Sequence, residues 1–264
     1  MMNTFTRSQT WRQLLLLPSL LLPLMGHAAE PAQASLGRAA DHSLPAERLV
    51  DDATLDKLSP VLKQLTQVQA LPATPMTREQ VQSEKHKGAK LQRSAQLNSG
   101  VYHEFSFYDA FARLLEDRDY DGFYSSFSVT FDADVYSSYA GESVPVYAEL
   151  YLSFEGGDWI RYFTTENFII QGQTDLDDYE VVTTLAQGYR LGHYDVLIDL
   201  YEVGYGDVVA TISSDDTDGL YALPLEAAAT DLEYVAVSDG HGGGALGWLA
   251  LTPLAWLAWR RRRA

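Results

Sequence analysis

The 264-residue chain contains no cysteine. Disulfides, thiolate metal sites and cysteine nucleophiles are therefore excluded, and stability has to come from an ordinary apolar core. Positive charge is also scarce, with 36 Asp and Glu against 19 Lys and Arg and a formal net charge of −17. Between Val101 and His241 there is no lysine, and Arg113, Arg118, Arg161 and Arg190 face 28 acids. A body this acidic repels nucleic acid and anionic headgroups and attracts cations, so no nucleic-acid partner is expected. Catalytic signatures are few as well. Within 101–237 the histidines are His103 and His193, with no His-x-x-x-His or His-Glu-x-x-His zinc spacing. The chain has no Gly-x-Ser-x-Gly elbow, P-loop or dinucleotide fingerprint. The expectation is a non-enzymatic body. The alternative is a secreted hydrolase using paired carboxylates on polysaccharide or peptide, because acids are abundant and their separation in space is not written in the sequence.

The two ends carry the clearest signals. Met1 to Gln13 includes Arg7 and Arg12 and no acid, an apolar run follows from Leu14 to Met25, and Gly26-His-Ala-Ala29 closes the segment. A basic start, a short apolar core and a small-residue exit are the parts of a secretory signal peptide. The core, about a dozen residues, is too short to cross ~30 Å of hydrocarbon, and Pro18 and Pro23 disfavour a lasting helix. Residues 1–28 are thus expected to be a signal peptide, cut by signal peptidase after Ala28 or Ala29, in an envelope of Gram-negative type.

At the other end, Gly242, Gly243 and Gly244 precede an uncharged apolar stretch from Ala245 to Trp259, followed by Arg260, Arg261, Arg262 and Arg263. As a helix the stretch is about 22 Å long. The arginines hold their side in the cytoplasm, and Trp248, Trp256 and Trp259 suit the interfaces. The expected topology is an inner-membrane segment with the body in the periplasm. Gly247, Pro253 and the glycine triplet weaken that helix, at roughly 1 kcal/mol per Gly and about 3 for Pro. A segment that unwinds at its outer end suits an intramembrane protease. The order of Gly-Gly, short apolar helix and Arg cluster over residues 241–264 resembles the GlyGly-CTERM sorting signal of proteobacteria. That resemblance implies recognition by a rhomboid-type protease (a rhombosortase), removal of the tail, and attachment or release at the cell surface. A permanent single-pass anchor is the alternative.

Between the ends, residues 29–100 are nearly charge-balanced, with eight acids and nine bases from Glu30 to Gly100. Residues 30–45 are rich in Ala, Pro and Ser and read as linker. From Ala46 to Val68 apolar residues recur every three or four positions, which predicts one or two short amphipathic helices interrupted at Pro60. Residues 69–100 read as polar linker containing the basic patch Lys85–Lys90. That patch is either a solvated arm able to lie against the acidic body or a contact for an anionic polymer.

Residues 101–240 differ in kind. Tyr, Phe, Val and Thr alternate with polar residues over short runs punctuated by Gly and Asp. The expected strands are Tyr124–Phe131, Pro145–Phe154, Trp159–Thr164, Glu180–Ala186, Tyr194–Tyr201, Val208–Ser213 and Leu232–Val237, with another near Glu104–Tyr108. Turns are expected at Glu155–Asp158 and Gly204–Asp207. Short strands without intervening helices predict an all-β, Ig-like antiparallel β-sandwich. Three segments, Asp117–Tyr124, Phe127–Asp134 and Tyr194–Glu202, make this body similar to the choice-of-anchor H family of proteobacterial surface proteins. That family is defined by one body carried on different anchoring tails, and the resemblance implies no reaction.

The sharpest local motif is Asp117-x-Asp119-x-Asp121-Gly122, the first half of a calcium loop. The seventh position falls on Phe123, whose backbone carbonyl is a candidate ligand, and the ninth on Ser125. Ser128 stands at the twelfth, where an EF-hand has a bidentate Glu, and the following residues read as strand. The expectation is a calcium loop in a β context, completed by Asp132 or Asp134, against the simpler reading of an acidic turn at a strand entrance. The clusters Asp175–Asp178 and Asp215–Gly219 read as exposed loops or a second cation site.

Overall fold

A computed structural model describes residues 29–232, apart from 69, 73, 93–102 and 140. The expected signal peptide, the sorting tail and residues 233–237 of the expected last strand lie outside the described residues. In chain order the strands are β1 (Ala32–Ala39), β2 (Leu71–Pro72), β3 (Glu104–Glu116), β4 (Ser126–Tyr136), β5 (Ser143–Phe154), β6 (Trp159–Thr164), β7 (Phe168–Gln171), β8 (Tyr179–Gln187), β9 (Gly192–Glu202), β10 (Val208–Ser213) and β11 (Leu223–Leu225). The helices are α1 (Asp52–Gln67) and α2 (Arg78–Gln92).

The strands form two antiparallel sheets packed face to face. One has the order β2-β1-β8-β4-β3; the other has the order β10-β9-β5-β6, with β11 added to β9 and β7 to β5. Alternation along the central strands sets the packing, because successive side chains point to opposite faces. On β4, Phe127, Val129, Phe131, Ala133 and Val135 enter the core. They meet Val146, Ala148 and Leu150 of β5 and Val196, Ile198 and Leu200 of β9. This is the all-β sandwich expected from the strand pattern.

The segment expected to be linker is part of the sandwich. Residues 32–39 form β1, which pairs with β8 over its whole length. Its sequence, Ala-Gln-Ala-Ser-Leu-Gly-Arg-Ala, has little apolar contrast because main-chain pairing supplies much of its hold. Gly37 leaves room there for Tyr179: a Cβ would lie 2.3 Å from its hydroxyl, so the ring would have to shift.

Both outer faces of the sandwich carry a helix. Leu58, Leu62 and Leu65 of α1 bury against Ala34, Leu115 and Val182 of the first sheet. The helix is one piece and is not interrupted at Pro60, which points to solvent. Asp51 caps its start, accepting the Thr54 N–H at 2.8 Å. Helix α2 stands where polar linker was expected, and Lys85 of the basic patch lies against the acidic second sheet. Thr77 and Gln80 form a capping box, with Thr77 N–H donating to Gln80 Oε1 at 3.0 Å and Gln80 N–H to Thr77 Oγ1 at 3.4 Å. Val81 packs on Tyr151 and Leu197 of the second sheet. No described helix is long and apolar enough to cross a membrane.

Candidate metal centre

The motif Asp117–Gly122 occupies the connection between β3 and β4. Its backbone is wound by its own carboxylates: Asp121 N–H donates to Asp119 Oδ1, Gly122 N–H to Asp117 Oδ2, and Phe123 N–H to Asp121 Oδ1, at 2.8–3.2 Å. Tyr120 and Gly122 have left-handed φ of 61° and 92°, a turn that glycine accepts without strain. Phe123 and His193 meet edge to face, with centroids 5.9 Å apart. Ser128 lies on β4, so the chain leaves the loop as strand.

The carboxylates that join this loop are not the expected ones. Asp132 and Asp134 stand towards the other end of β4, and the loop is completed by Glu226 and Asp231. Asp117, Asp119 and Asp231 form one oxygen cluster and Asp119, Asp121 and Glu226 another. The residues after β11 reach the loop because Tyr124 and Leu225 form a bridge, with Glu226 N–H donating to Tyr124 O at 3.0 Å. Asp231 is fully buried. It accepts the N–H groups of Arg118 and Asp119 on Oδ1 and the Ser125 hydroxyl on Oδ2. Its first task is therefore to hold the loop backbone. Glu226 is 1% exposed. Its Oε2 accepts the Thr230 hydroxyl at 2.7 Å, and its Oε1 has no partner among the described residues. Burial pushes the Glu226 carboxyl above the usual range, and Asp121, Asp119 and Asp231 add to the effect. One oxygen of Asp117 is also buried without a partner. Such a set suits a hard cation that takes oxygen ligands.

Asp132 and Asp134 belong to the outward face of β4. Asp132 clusters with Asp177 and Asp178, which directly precede β8. Burial first, then Asp178, Asp134 and Asp177, push its pKa up to about 7. Burial likewise raises Asp134, Asp177 and Asp178. The cluster at 215–219 is a folded turn: Asp216 accepts the Ser213 N–H and hydroxyl, and Thr217 caps the short helical turn Asp218–Leu220.

Other buried carboxylates face cations. Glu180 meets Arg38 at 2.6 Å and Arg113 at 3.0 Å. Asp199 takes a two-pronged contact from Arg78 at 2.7 and 2.8 Å, and Glu149 meets Lys85 at 2.7 Å and Arg161 at 3.4 Å. Lys85 also stands over the stacked rings of Tyr147 and Tyr201. Arg78 and Lys85 of α2 thus neutralise acids on the second sheet. His103 sits between Glu142 and Glu202.

The described residues also form surface recesses. One of about 430 Å³ lies beside the loop, lined by Asp52, Glu116, Asp117, Tyr120 and Tyr124 among others. The second, about 340 Å³, is largely apolar, with Phe154, Tyr162, Tyr189 and Tyr194 in its walls. Arg161 and Arg190, two of the four arginines of the acidic body, also line it.

Glu226 and Asp231 were not legible as partners of the motif. Each is a lone acid in the Ala-rich segment Leu225–Asp231, more than 100 residues from the loop. The capping box at Thr77 was the available signal for α2. No protein-family model matches the chain, and no curated protein matches it.

Proposed function

We propose that the chain is an exported, surface-directed, non-enzymatic β-sandwich protein, stabilised by calcium and serving adhesion or envelope interaction. The observation that carries the calcium part is that Asp119 and Asp121 of the alternating set meet Glu226, whose buried Oε1 lacks a partner among the described residues, while Asp117 joins Asp119 and Asp231 beside them. Three closely spaced carboxylates and a fourth buried one repel each other, and a cation removes that cost. Glu226 takes the role of the distant acid that an EF-hand keeps at its twelfth position. The backbone carbonyl of Phe123 is the further ligand proposed from the motif. Binding has a physical basis in the apolar recess, where aromatic walls and two arginines offer hold and orientation to a ligand.

Export and sorting rest on the ends of the sequence. Signal peptidase cuts at Ala28 or Ala29; the tail then holds the body on the periplasmic side of the inner membrane until a rhombosortase-type protease acts at the glycines. The similarity to choice-of-anchor H surface proteins points the same way. Mass spectrometry of the mature protein from its own envelope reads both ends, and an intact Arg260–Arg263 tail would reject the sorting step. For calcium, the full chain is melted in EDTA and in millimolar calcium, with sodium chloride at matched ionic strength as control. A rise in melting temperature specific to calcium is expected. Equal curves would remove the metal from the proposal.

A second reading is hydrolysis in the recess beside the loop, where Glu116 and Asp117 stand near Tyr120 and Tyr124. Turnover of polysaccharide or peptide that is lost in Glu116→Gln would replace the binding reading.

A further inference from the structure

Asp132, the residue expected to finish the calcium loop, sits too far along β4 to do so. It is six residues from Ser126 at the loop end of the strand, about 20 Å at the rise of a β-strand. Its surroundings also separate it from Glu149, Glu180 and Asp199, the buried carboxylates that face cations. Glu180, on the neighbouring strand, has two arginines; Asp132 is 8% exposed, and among the described residues no lysine or arginine pairs with it, Asp177 or Asp178. Among the described residues its Oδ1 has no hydrogen-bond partner, and neither has Oδ1 of Asp178. The charge around it is mostly of its own sign: Asp134 on the same strand, Asp175 in the preceding loop, and Asp109 opposite on β3. Among the described residues, the basic side chain that approaches is His42, with Nδ1 3.8 Å from Asp178 Oδ2 and nearly half exposed.

We infer that Asp132, Asp177 and Asp178 form a second divalent-cation site, of the calcium class, at the end of β4 away from the loop. Three independent features support it. The three residues each offer an oxygen within 4.8 Å of the others. Oxygens on opposite sides of a calcium ion at 2.3–2.6 Å are separated by about 4.6–5.2 Å, so the group can close on one ion without rebuilding. A nine-tenths buried carboxylate oxygen without a partner is costly unless an ion or a proton meets it. The acids come from two elements, β4 and the turn leading into β8, and the turn is already held by a side-chain contact of Asp177 and a main-chain contact of Asp178. Gln171 N–H donates to Asp177 Oδ2, and Ala40 N–H donates to Asp178 O at 2.8 Å. An ion here would tie the start of β8 to β4 and brace the segment that follows β1.

This site does not depend on the loop site, and one experiment separates them. The full chain, stripped with EDTA, is titrated with calcium chloride and with terbium, read by native mass spectrometry and by tyrosine-sensitised terbium emission. Two ions per chain are expected. Asp132→Asn should lose one ion and leave the other, and Glu226→Gln should do the same for the opposite site, each weakening its own site at least tenfold. Asp178→Asn, a partly exposed position, provides a second variant should Asp132→Asn not fold. One ion per chain, lost in Glu226→Gln and kept in Asp132→Asn or Asp178→Asn, would overturn the second site and keep the loop. The reverse pattern would overturn the loop site and keep this one. No ion at all would overturn both.

Discussion

At Glu149, Glu180 and Asp199 the sandwich buries a carboxylate and sets a guanidinium or ammonium against it. At Asp132 and Glu226 it buries a carboxylate and surrounds it with other carboxylates. The first arrangement is structural, and its cost appears when one partner is removed. Arg78→Met should lower the unfolding free energy by about 3–5 kcal/mol, because Asp199 would keep its buried charge with no cation beside it. Adding Asp199→Asn should restore a large part of that loss. Denaturant melts of the two single variants and the double variant measure it. The second arrangement responds to an external ion. Glu226→Gln keeps the shape and removes the charge, so in EDTA its melting temperature should equal or exceed that of the unaltered chain. The calcium-induced rise should shrink in the same variant. A full calcium response in Glu226→Gln would mean that Glu226 is not a ligand.

At the scale of elements, α1 shows how packing outvotes local preference. Pro60 lies in the helix interior, where it donates no hydrogen bond and crowds the preceding turn. The helix continues because Leu58, Leu62 and Leu65 are buried on the opposite side. Pro60→Ala should raise stability by about 1–2 kcal/mol, the helix gain being partly offset by a freer unfolded chain. Leu58→Ala should lower it by about 2–5 kcal/mol, since Leu58 is fully buried. Both values are read from the same denaturant melts. Helix α2 was hidden for a different reason. Its inward face is Arg78, Val81, Gln82 and Lys85, so it docks mostly through charge and has no apolar stripe for periodicity to find. Strand β3 is longer than its pattern suggests because register shifts at Phe107/Asp109 and Leu114/Glu116 break the alternation.

The described residues form a layered unit: α1, a sheet, a second sheet and α2. Residues 32–92 contribute the β2-β1 edge of one sheet and the cover of both outer faces. A fragment beginning at residue 101 would expose Val182 and Leu115 on one side and Tyr151 and Leu197 on the other. It would also leave Glu180 without Arg38 and Asp199 without Arg78. Such a fragment should fail to give the single cooperative thermal transition of the chain beginning at Ala29, as followed by circular dichroism. A sharp transition in the short fragment would show that the first hundred residues are accessory.

Local pattern alone determined the sandwich, most of its central strands, the amphipathic character of α1 and the Asp117–Gly122 loop. In each case the information lies in residues a few positions apart, where side-chain alternation, helical spacing and turn chemistry act directly. The tertiary structure decided the rest. It placed β1 against β8, laid the basic face of α2 on Glu149 and Asp199, brought Glu226 and Asp231 to the loop, and set Asp132 beside Asp177 and Asp178. Those contacts join residues far apart in the chain. They are selected by the need to cover sheet edges and to neutralise buried charge, requirements that arise only once the two sheets have closed.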